Sequence, residues 1–225
     1  MFARFAKMAK GFTRIGKDIT IAVKAGGPDP HHNAKLRAVI QNAKSINMPK
    51  DRIDAAIKRA VSKDMRNYEE VVYEGYGPHG VAILIETATD NPTRTVANLR
   101  MHFSRGEGNL ATSGSVSFMF ERKGLFKFPV GNLKVEELEL ELIDFGAQEV
   151  FEDEGFIYVY CSFEEFGAMQ KALEDKKIEV TTSELTRTLA NYVEDLTEEQ
   201  MEKVQSLIDR FDDDDDVQNV YHNMR

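Results

Sequence analysis

Residues 124–182 read GLFKFPVGNLKVEELELELIDFGAQEVFEDEGFIYVYCSFEEFGAMQKALEDKKIEVTT, and their pattern decides the fold. Alternating apolar residues predict strands, whereas apolar residues spaced three and four apart predict helices. The segment contains six elements, in the order strand, helix, strand, strand, helix, strand: 125–128, 135–145, 147–151, 156–162, 163–175 and 178–182. This βαββαβ order is that of a ferredoxin-like domain.

The residues on both sides of this segment predict a second domain of the same kind. Its six elements are again strand, helix, strand, strand, helix and strand: 81–89, 92–105, 115–121, 185–193, 197–211 and 217–222. A further strand at 71–76 leads into it. One ferredoxin-like domain is therefore predicted to be inserted in another.

Three amphipathic helices are predicted before residue 66. The first has one apolar stripe and ends at Gly26-Gly27-Pro28. The second runs from near His32 to Ser45, and the third begins around Pro49. The expected fold class is therefore α+β, with an N-terminal three-helix domain followed by two ferredoxin-like α/β domains. The predicted domains are 1–70, 71–122 with 184–225, and the inserted 123–183.

Charge is divided unevenly along the chain. Residues 1–66 carry 15 Lys and Arg against 5 Asp and Glu, whereas the remaining 159 residues carry 14 against 33. The first segment therefore has a net charge of +10 and the rest −19, although the whole chain is at −9. Such asymmetry indicates a polyanionic partner for the basic segment. Docking of a basic bundle onto the chain's own acidic domains is the alternative.

The candidate nucleic-acid ligands are Lys and Arg residues that helical geometry places on exposed helix faces. Twelve lie in the basic segment and two on the helix after Pro92: Lys7, Lys10, Arg14, Lys17, Lys24, Arg37, Lys44, Lys50, Arg52, Arg59, Lys63, Arg66, Arg94 and Arg105. Phosphate contacts provide affinity without reading bases, so the pattern predicts nucleic-acid binding but does not separate DNA from ribosomal RNA. Arg94 and Arg105 could equally pair with nearby Glu residues. A membrane-surface role competes for the first helix only.

Several functional classes are disfavoured by composition. The longest aliphatic run, 81–85, is too short to span a bilayer, so no membrane segment or membrane partner is expected. The single cysteine, Cys161, excludes an internal disulfide, and its place on an apolar strand face predicts a buried, inert thiol. The first 24 residues resemble a mitochondrial presequence but lack serine, so a structural helix in a cytoplasmic protein is favoured.

No catalytic arrangement or cofactor motif is recognised, so the chain is expected to be neither an enzyme nor a cofactor binder. Asp29, His31 and His32 lie close together, but a turn that caps a helix is favoured over a metal site. The acidic run at 212–216 is expected to be a solvated loop facing away from nucleic acid. While the basic segment binds nucleic acid, the acidic domains could serve as a scaffold or dock a protein partner.

Four collinear motifs resemble those of the YebC/PmpR-like family. They are NMPKDRI at 47–53 followed by AIKR at 56–59, YEGYGP at 73–78, TDN at 89–91 with RTV at 94–96, and GNL at 108–110 with GSV at 114–116. The resemblance covers nearly the whole chain. It implies a three-domain protein of the bacterial cytoplasm, usually described as a probable transcriptional regulator that binds DNA. Relatives in mitochondria activate translation, and some bacterial members are thought to assist ribosomes, so a ribosome-associated RNA-binding factor is the alternative.

Overall fold

The structure is a computed structural model that describes residues 2–62 and 67–225, with side chains from residue 8 onward. Its helices and strands, in chain order, are α1 (Phe2–Gly26), α2 (Ala34–Ser45), α3 (Lys50–Val61), β1 (Glu69–Tyr76), β2 (Ala82–Thr89), α4 (Pro92–Arg105), β3 (Asn109–Leu110), β4 (Phe120–Pro129), α5 (Val135–Ile143), β5 (Ala147–Asp153), β6 (Phe156–Ser162), α6 (Phe166–Asp175), β7 (Thr182–Leu189), α7 (Glu198–Asp212) and β8 (Val217–His222). An N-terminal helical region precedes two four-stranded α/β regions. The predicted fold class is therefore confirmed.

The helical region has one apolar core, in which α1 packs against both α2 and α3. Asn33 fixes the start of α2. Its side chain accepts a hydrogen bond from the Leu36 N–H at 3.0 Å and donates to the carbonyl oxygens of Ala22 and Gly27, both at 2.8 Å. The cap therefore ties the start of α2 to the end of α1.

The inserted α/β region has the strand order β5-β6-β4-β7. Numbered by their place in βαββαβ, these are strands 2, 3, 1 and 4, the ferredoxin-like arrangement. Helices α5 and α6 cover one face of the sheet, where Leu142 and Leu173 pack against Phe126, Ile157 and other buried residues. The last strand begins at Thr182, where the sequence pattern had placed its end.

The other sheet has the order β3-β1-β2-β8, and its membership differs from the prediction. Residues 69–76 are an integral part of this sheet and do not simply precede the domain. They form β1, which pairs with β2 along its whole length. The strand expected at 115–121 is instead a loop with a short 3₁₀ turn at Ser117–Met119. The strand expected at 185–193 is largely β7, which lies in the inserted sheet. Strand β1 therefore occupies the position that the third strand takes in a ferredoxin-like sheet.

The loop at 111–117 is held by the buried carboxylate of Glu74. Its oxygens accept hydrogen bonds from the backbone N–H groups of Gly114 at 2.8 Å, Val116 at 2.7 Å and Ser117 at 2.8 Å. These N–H groups are occupied by a side chain. This explains why an apolar stretch with strand-like pattern forms a loop here.

The chain divides into two compact units. One contains residues 1–65 and 122–186, and the other contains 66–121 and 187–225. Within the first unit, Asn42 joins α2 to the start of β7 by two hydrogen bonds with the backbone of Ser183, each 2.8 Å long. The three-domain division of the sequence analysis stays a prediction.

Cys161 is fully buried in the core of the inserted region, as its strand position predicted. Burial raises the pKa of its thiol to about 11. We therefore expect negligible reaction of the native protein with a chromogenic disulfide reagent at pH 8. One thiol equivalent should react after denaturation, because only the thiolate is the nucleophile. Rapid labelling of the folded protein would contradict this burial.

Candidate nucleic-acid interface

One flank of α3 presents two arginines seven residues apart, Arg52 and Arg59, and both are exposed. Because seven residues are almost two helical turns, they lie on the same side. The Arg52 guanidinium lies 5.7 Å from the centre of the Phe12 ring, and Arg59 Nε donates to the Ala55 carbonyl at 3.3 Å. Neither contact neutralises the charge, so both arginines remain available to an anion.

An apolar groove lies between α2, α3 and the turn at 28–30, with a volume of about 610 Å³. Its apolar lining includes Ile40, Ile53 and Ile57. Three lysines and one acid complete the lining: Lys44, Lys50, Lys58 and Asp54. All three lysines are exposed, so the groove carries a positive rim.

Lys58 is a candidate that the sequence reasoning missed. Its signal was present, because at about 100° per residue it lies only about 80° around α3 from Lys50. The sequence reasoning followed the narrower sector that holds Arg52 and Arg59. The structure shows that α3 is cationic on two sides of its buried face.

Helix α1 contributes fewer exposed cations to the candidate interface than its sequence predicted. Lys24 is exposed near its end, whereas Lys10 and Arg14 are half-buried and already engaged in interactions. Lys17 is only 8% exposed, so the prediction that it lies on an exposed helix face is wrong. The reason is that α1 packs against two helices, which covers more than its single apolar stripe.

Two of the predicted arginines are occupied by the chain's own acceptors. Arg37 Nε donates to Glu174 at 3.1 Å, and its Nη1 donates to the carbonyl oxygens of Pro30 at 2.9 Å and His31 at 3.2 Å. These contacts hold α2 against α6 in the first unit. Arg37 is therefore a structural residue here, which is the alternative that sequence alone left open.

Arg94 is exposed, but its guanidinium is bonded to the carboxylate of the buried Asp216. Its Nη2 lies 3.0 Å from Asp90 Oδ1 and 2.6 Å from Asp216 Oδ2. Asp216 also accepts hydrogen bonds from the hydroxyls of Thr95 at 2.8 Å and Thr89 at 3.2 Å. The hydrogen bond and charge of Asp216 raise the pKa of Arg94 above its ordinary value. Both α4 candidates, Arg94 and Arg105, are exposed, but Arg94 is paired with two carboxylates.

The remaining candidates are the Lys7 side chain, Lys63 and Arg66, which lie outside the described residues. Within residues 8–62 and 67–225, no carboxylate forms an ion pair with six exposed cations of the helical region: Lys24, Lys44, Lys50, Arg52, Lys58 and Arg59. These six cations are therefore not neutralised by the described carboxylates, although Arg37 of the same region is paired with Glu174. An open cationic surface remains on α2 and α3.

Two other motifs have structural explanations. Asp29 accepts hydrogen bonds from the backbone of His31 at 2.9 Å and pairs with His32 Nδ1 at 2.7 Å, which forms the expected turn. The acidic run at 212–216 was expected to be solvated, but the structure shows that part of it is not. Asp216 is buried, and Asp214 lies 3.2 Å from His102.

In the described part of the chain, no His, Cys, Asp and Glu side chains converge as a metal site. No described helix has the length and apolar character needed to cross a bilayer.

Known proteins resemble this chain over nearly its full length. Residues 1–63 match the TACO1/YebC protein N-terminal domain, and residues 68–224 match the TACO1/YebC second and third domain. A probable transcriptional regulatory protein of Flavobacterium psychrophilum is 54% identical over 99% of this chain and 94% of the relative. One from Anaeromyxobacter dehalogenans is 52% identical over 100% of this chain and 95% of the relative.

A solved structure shares the fold. It is the crystal structure of a conserved hypothetical protein from Aquifex aeolicus, with a TM-score of 0.83 and 36% sequence identity. The match covers 98% of this chain and 91% of the other. The resemblance drawn from the four sequence motifs is confirmed, and relatives of this chain carry the names of transcriptional regulators. The chain belongs to the TACO1/YebC family.

Proposed function

We propose that this chain is a nucleic-acid-binding regulator of gene expression, and that double-stranded DNA is its target. The observation that carries the proposal is the set of six exposed cations on α1, α2 and α3 without a described carboxylate partner. They belong to a segment of net charge +10 in a chain of net charge −9. A surface that served only to dock the chain's own acids would leave fewer cations open.

The cations act as phosphate ligands. Lys44, Lys50 and Lys58 surround one groove, and Arg52 and Arg59 lie on the adjoining side of α3. Contacts of this kind fix the protein on the polymer without reading the sequence. The affinity therefore depends strongly on salt and weakly on the order of bases.

We further propose that the protein is cytoplasmic and not an enzyme, and that its acidic α/β regions dock a protein partner. Residues 67–225 include 33 Asp and Glu against 14 Lys and Arg, which would repel phosphates and favour a cationic protein surface. Relatives named as transcriptional regulators support the regulatory assignment.

The proposal is tested by the salt dependence of binding to a labelled 20-base-pair duplex. If the six cations each neutralise one phosphate, log K should fall against log[salt] with a slope of about −5. Replacing Lys44, Lys50, Arg52 and Arg59 with alanine should reduce the slope to about −2. Fluorescence anisotropy at four salt concentrations measures both.

A matched control removes four exposed cations elsewhere: Arg100, Lys171, Lys203 and Arg210. It has the same net charge as the first variant and should keep the parent slope. Equal losses in both variants would mean that only overall charge matters, and the interface assignment would fail. Stronger binding to structured RNA than to duplex DNA, with sedimentation alongside ribosomes, would favour the ribosome-associated alternative, because shape-based RNA recognition uses the same cations.

A further inference from the structure

The sheet of the inserted region has one face that α5 and α6 do not cover. Along β6, Ile157, Val159 and Cys161 point into the core beneath these helices. Strand geometry places the intervening residues on the opposite face. Four residues of β6 lie there, and three of them are aromatic: Phe156, Tyr158 and Tyr160, followed by Ser162. The third strand of a ferredoxin-like sheet thus carries three aromatic rings on its open side.

Three rings of β5 and β6 stack on one another, and a lysine of β4 extends the cluster to a third strand. Phe151 of β5 and Lys127 of β4 are the register partners of Tyr158 on either side. The Phe151 ring lies 5.3 Å from that of Tyr158 at an interplanar angle of 8°, and 6.2 Å from that of Tyr160 at 17°. Lys127 Nζ lies 4.8 Å from the Tyr158 ring centre and 4.4 Å from that of Phe156. The stack therefore runs from a cation, through tyrosine, to phenylalanine.

The outer end of the stack is open. Strand β5 is an edge strand, and Phe151 is 41% exposed. One face of its ring meets the two tyrosines, so a planar ligand would extend the stack from the other face. A phenylalanine held parallel to its neighbours is already arranged for such a ligand.

Charge on this face differs from that of the surrounding region. Residues 122–186 contain 15 Asp and Glu against 7 Lys and Arg. Among the acids of β4, β5 and β6, Glu121, Glu149 and Asp153 alternate onto the open face, together with Lys123 and Lys127. Lys123 lies 3.2 Å from Glu149 and neutralises it. The face therefore has three acids against two cations, which is a smaller excess than in the surrounding region, and Lys127 has no described carboxylate partner.

We propose that this open sheet face binds single-stranded nucleic acid by base stacking. A four-stranded sheet of this topology, with aromatic residues on its open face, stacks bases in RNA-recognition domains. Residues 155–159, GFIYV, also share the glycine, two aromatic residues and valine of the K/R-G-F/Y-G/A-F-V-x-F/Y signature of such domains, with Ile157 at its small-residue position. A base stacks on the exposed face of Phe151, and Lys127 meets an adjoining phosphate. This site is separate from the cationic surface of α2 and α3.

The test compares single strands with a duplex in 0.3 M salt, where phosphate contacts are weakened. The probes are fluorescein-labelled dodecamers of uridine and of deoxythymidine. Replacing Phe151 with alanine should weaken binding to single strands about tenfold, because one base–aromatic stack is lost. Phe151→Tyr should bind within about twofold of the parent, since it keeps the ring, whereas Phe151→Leu should be as weak as alanine. Binding to a duplex should not change.

The control variant is Leu140→Ala, which removes a side chain that is 71% exposed on α5, away from this face. It should bind as the parent does, and circular dichroism establishes that each variant is folded. Full binding by Phe151→Leu would indicate an apolar docking site for a protein and would overturn the proposal. So would a parent protein that binds neither dodecamer. Comparison of the uridine and deoxythymidine probes shows whether the face prefers RNA or DNA. The variants that replace cations of α2 and α3 test the proposed function, so their loss of duplex binding has no bearing on this face.

Discussion

Replacing Asp216 with alanine is expected to lower the free energy of unfolding by about 4 kcal/mol, because three hydrogen bonds to a buried charged group are lost together. The carboxylate accepts from Arg94 at 2.6 Å, Thr95 at 2.8 Å and Thr89 at 3.2 Å. These contacts join the end of β2, the start of α4 and the segment before β8 in one unit. The loss should appear in urea unfolding as a lower midpoint.

Asp215→Ala is the matched control, because it removes the same charge from the neighbouring residue, whose side chain is exposed. Its effect should be within about 0.5 kcal/mol of zero. Asp216→Asn keeps the shape of the side chain and should lose roughly half as much stability as alanine, since it retains an acceptor without the charge. An Asp216→Ala protein as stable as Asp215→Ala would refute a structural role for the cluster.

Replacing Glu74 with alanine is expected to cost about 3 kcal/mol, because three backbone N–H groups of the loop at 111–117 lose their acceptor. Burial acts to raise the pKa of Glu74. The hydrogen bonds from Val116, Gly114 and Ser117 outweigh it and lower the pKa below 4.5. The folded protein therefore binds a proton at this carboxyl less readily than the unfolded chain does.

The pH dependence follows from that direction. The stabilisation from Glu74 is present above pH 4.5 and is lost as the pH falls from there through the lower pKa of the folded state. Glu74→Gln should therefore be less stable than the parent at pH 7, and the difference should shrink toward pH 3. Urea unfolding at pH 3, 4, 5 and 7 measures this, with Glu69→Gln on the exposed end of β1 as the control. A difference that stays constant across this range would show that the charge of Glu74 is not responsible.

The sequence predicted the elements better than their partners. Helix periodicity located α1, α2 and α3, and alternation located β6 and the inserted βαββαβ order. Alternation does not say which sheet a strand joins. It therefore predicts a lead-in at 71–76, and it places the strand at 185–193 in the wrong sheet. The strand expected at 115–121 failed because Glu74, some 40 residues earlier, binds its backbone. Contacts at such separation leave no local pattern.

The sequence predicted an exposed cationic surface on the N-terminal helices, but it did not predict which of the cations are buried or paired. Helical spacing placed Arg52 and Arg59 on one exposed side, where the structure has them. It could not show that Lys17 is covered by neighbouring helices, or that Arg37 and Arg94 meet Glu174 and Asp216. An amphipathic pattern gives one buried face per helix. A second covered side depends on tertiary packing, which the pattern does not contain.

The order β3-β1-β2-β8 has a consequence for synthesis of the chain. Strand β2 is almost entirely buried, yet its partner β8 follows about 130 residues later. At 5–20 residues per second, the β1–β2 hairpin waits roughly 6–25 s for that partner. Ile83 and Ile85 share their core with Phe103 of α4. That core also includes Val204 and Leu207 of α7, so it stays incomplete meanwhile. The nascent protein thus offers chaperones an apolar strand edge for many seconds of every translation cycle.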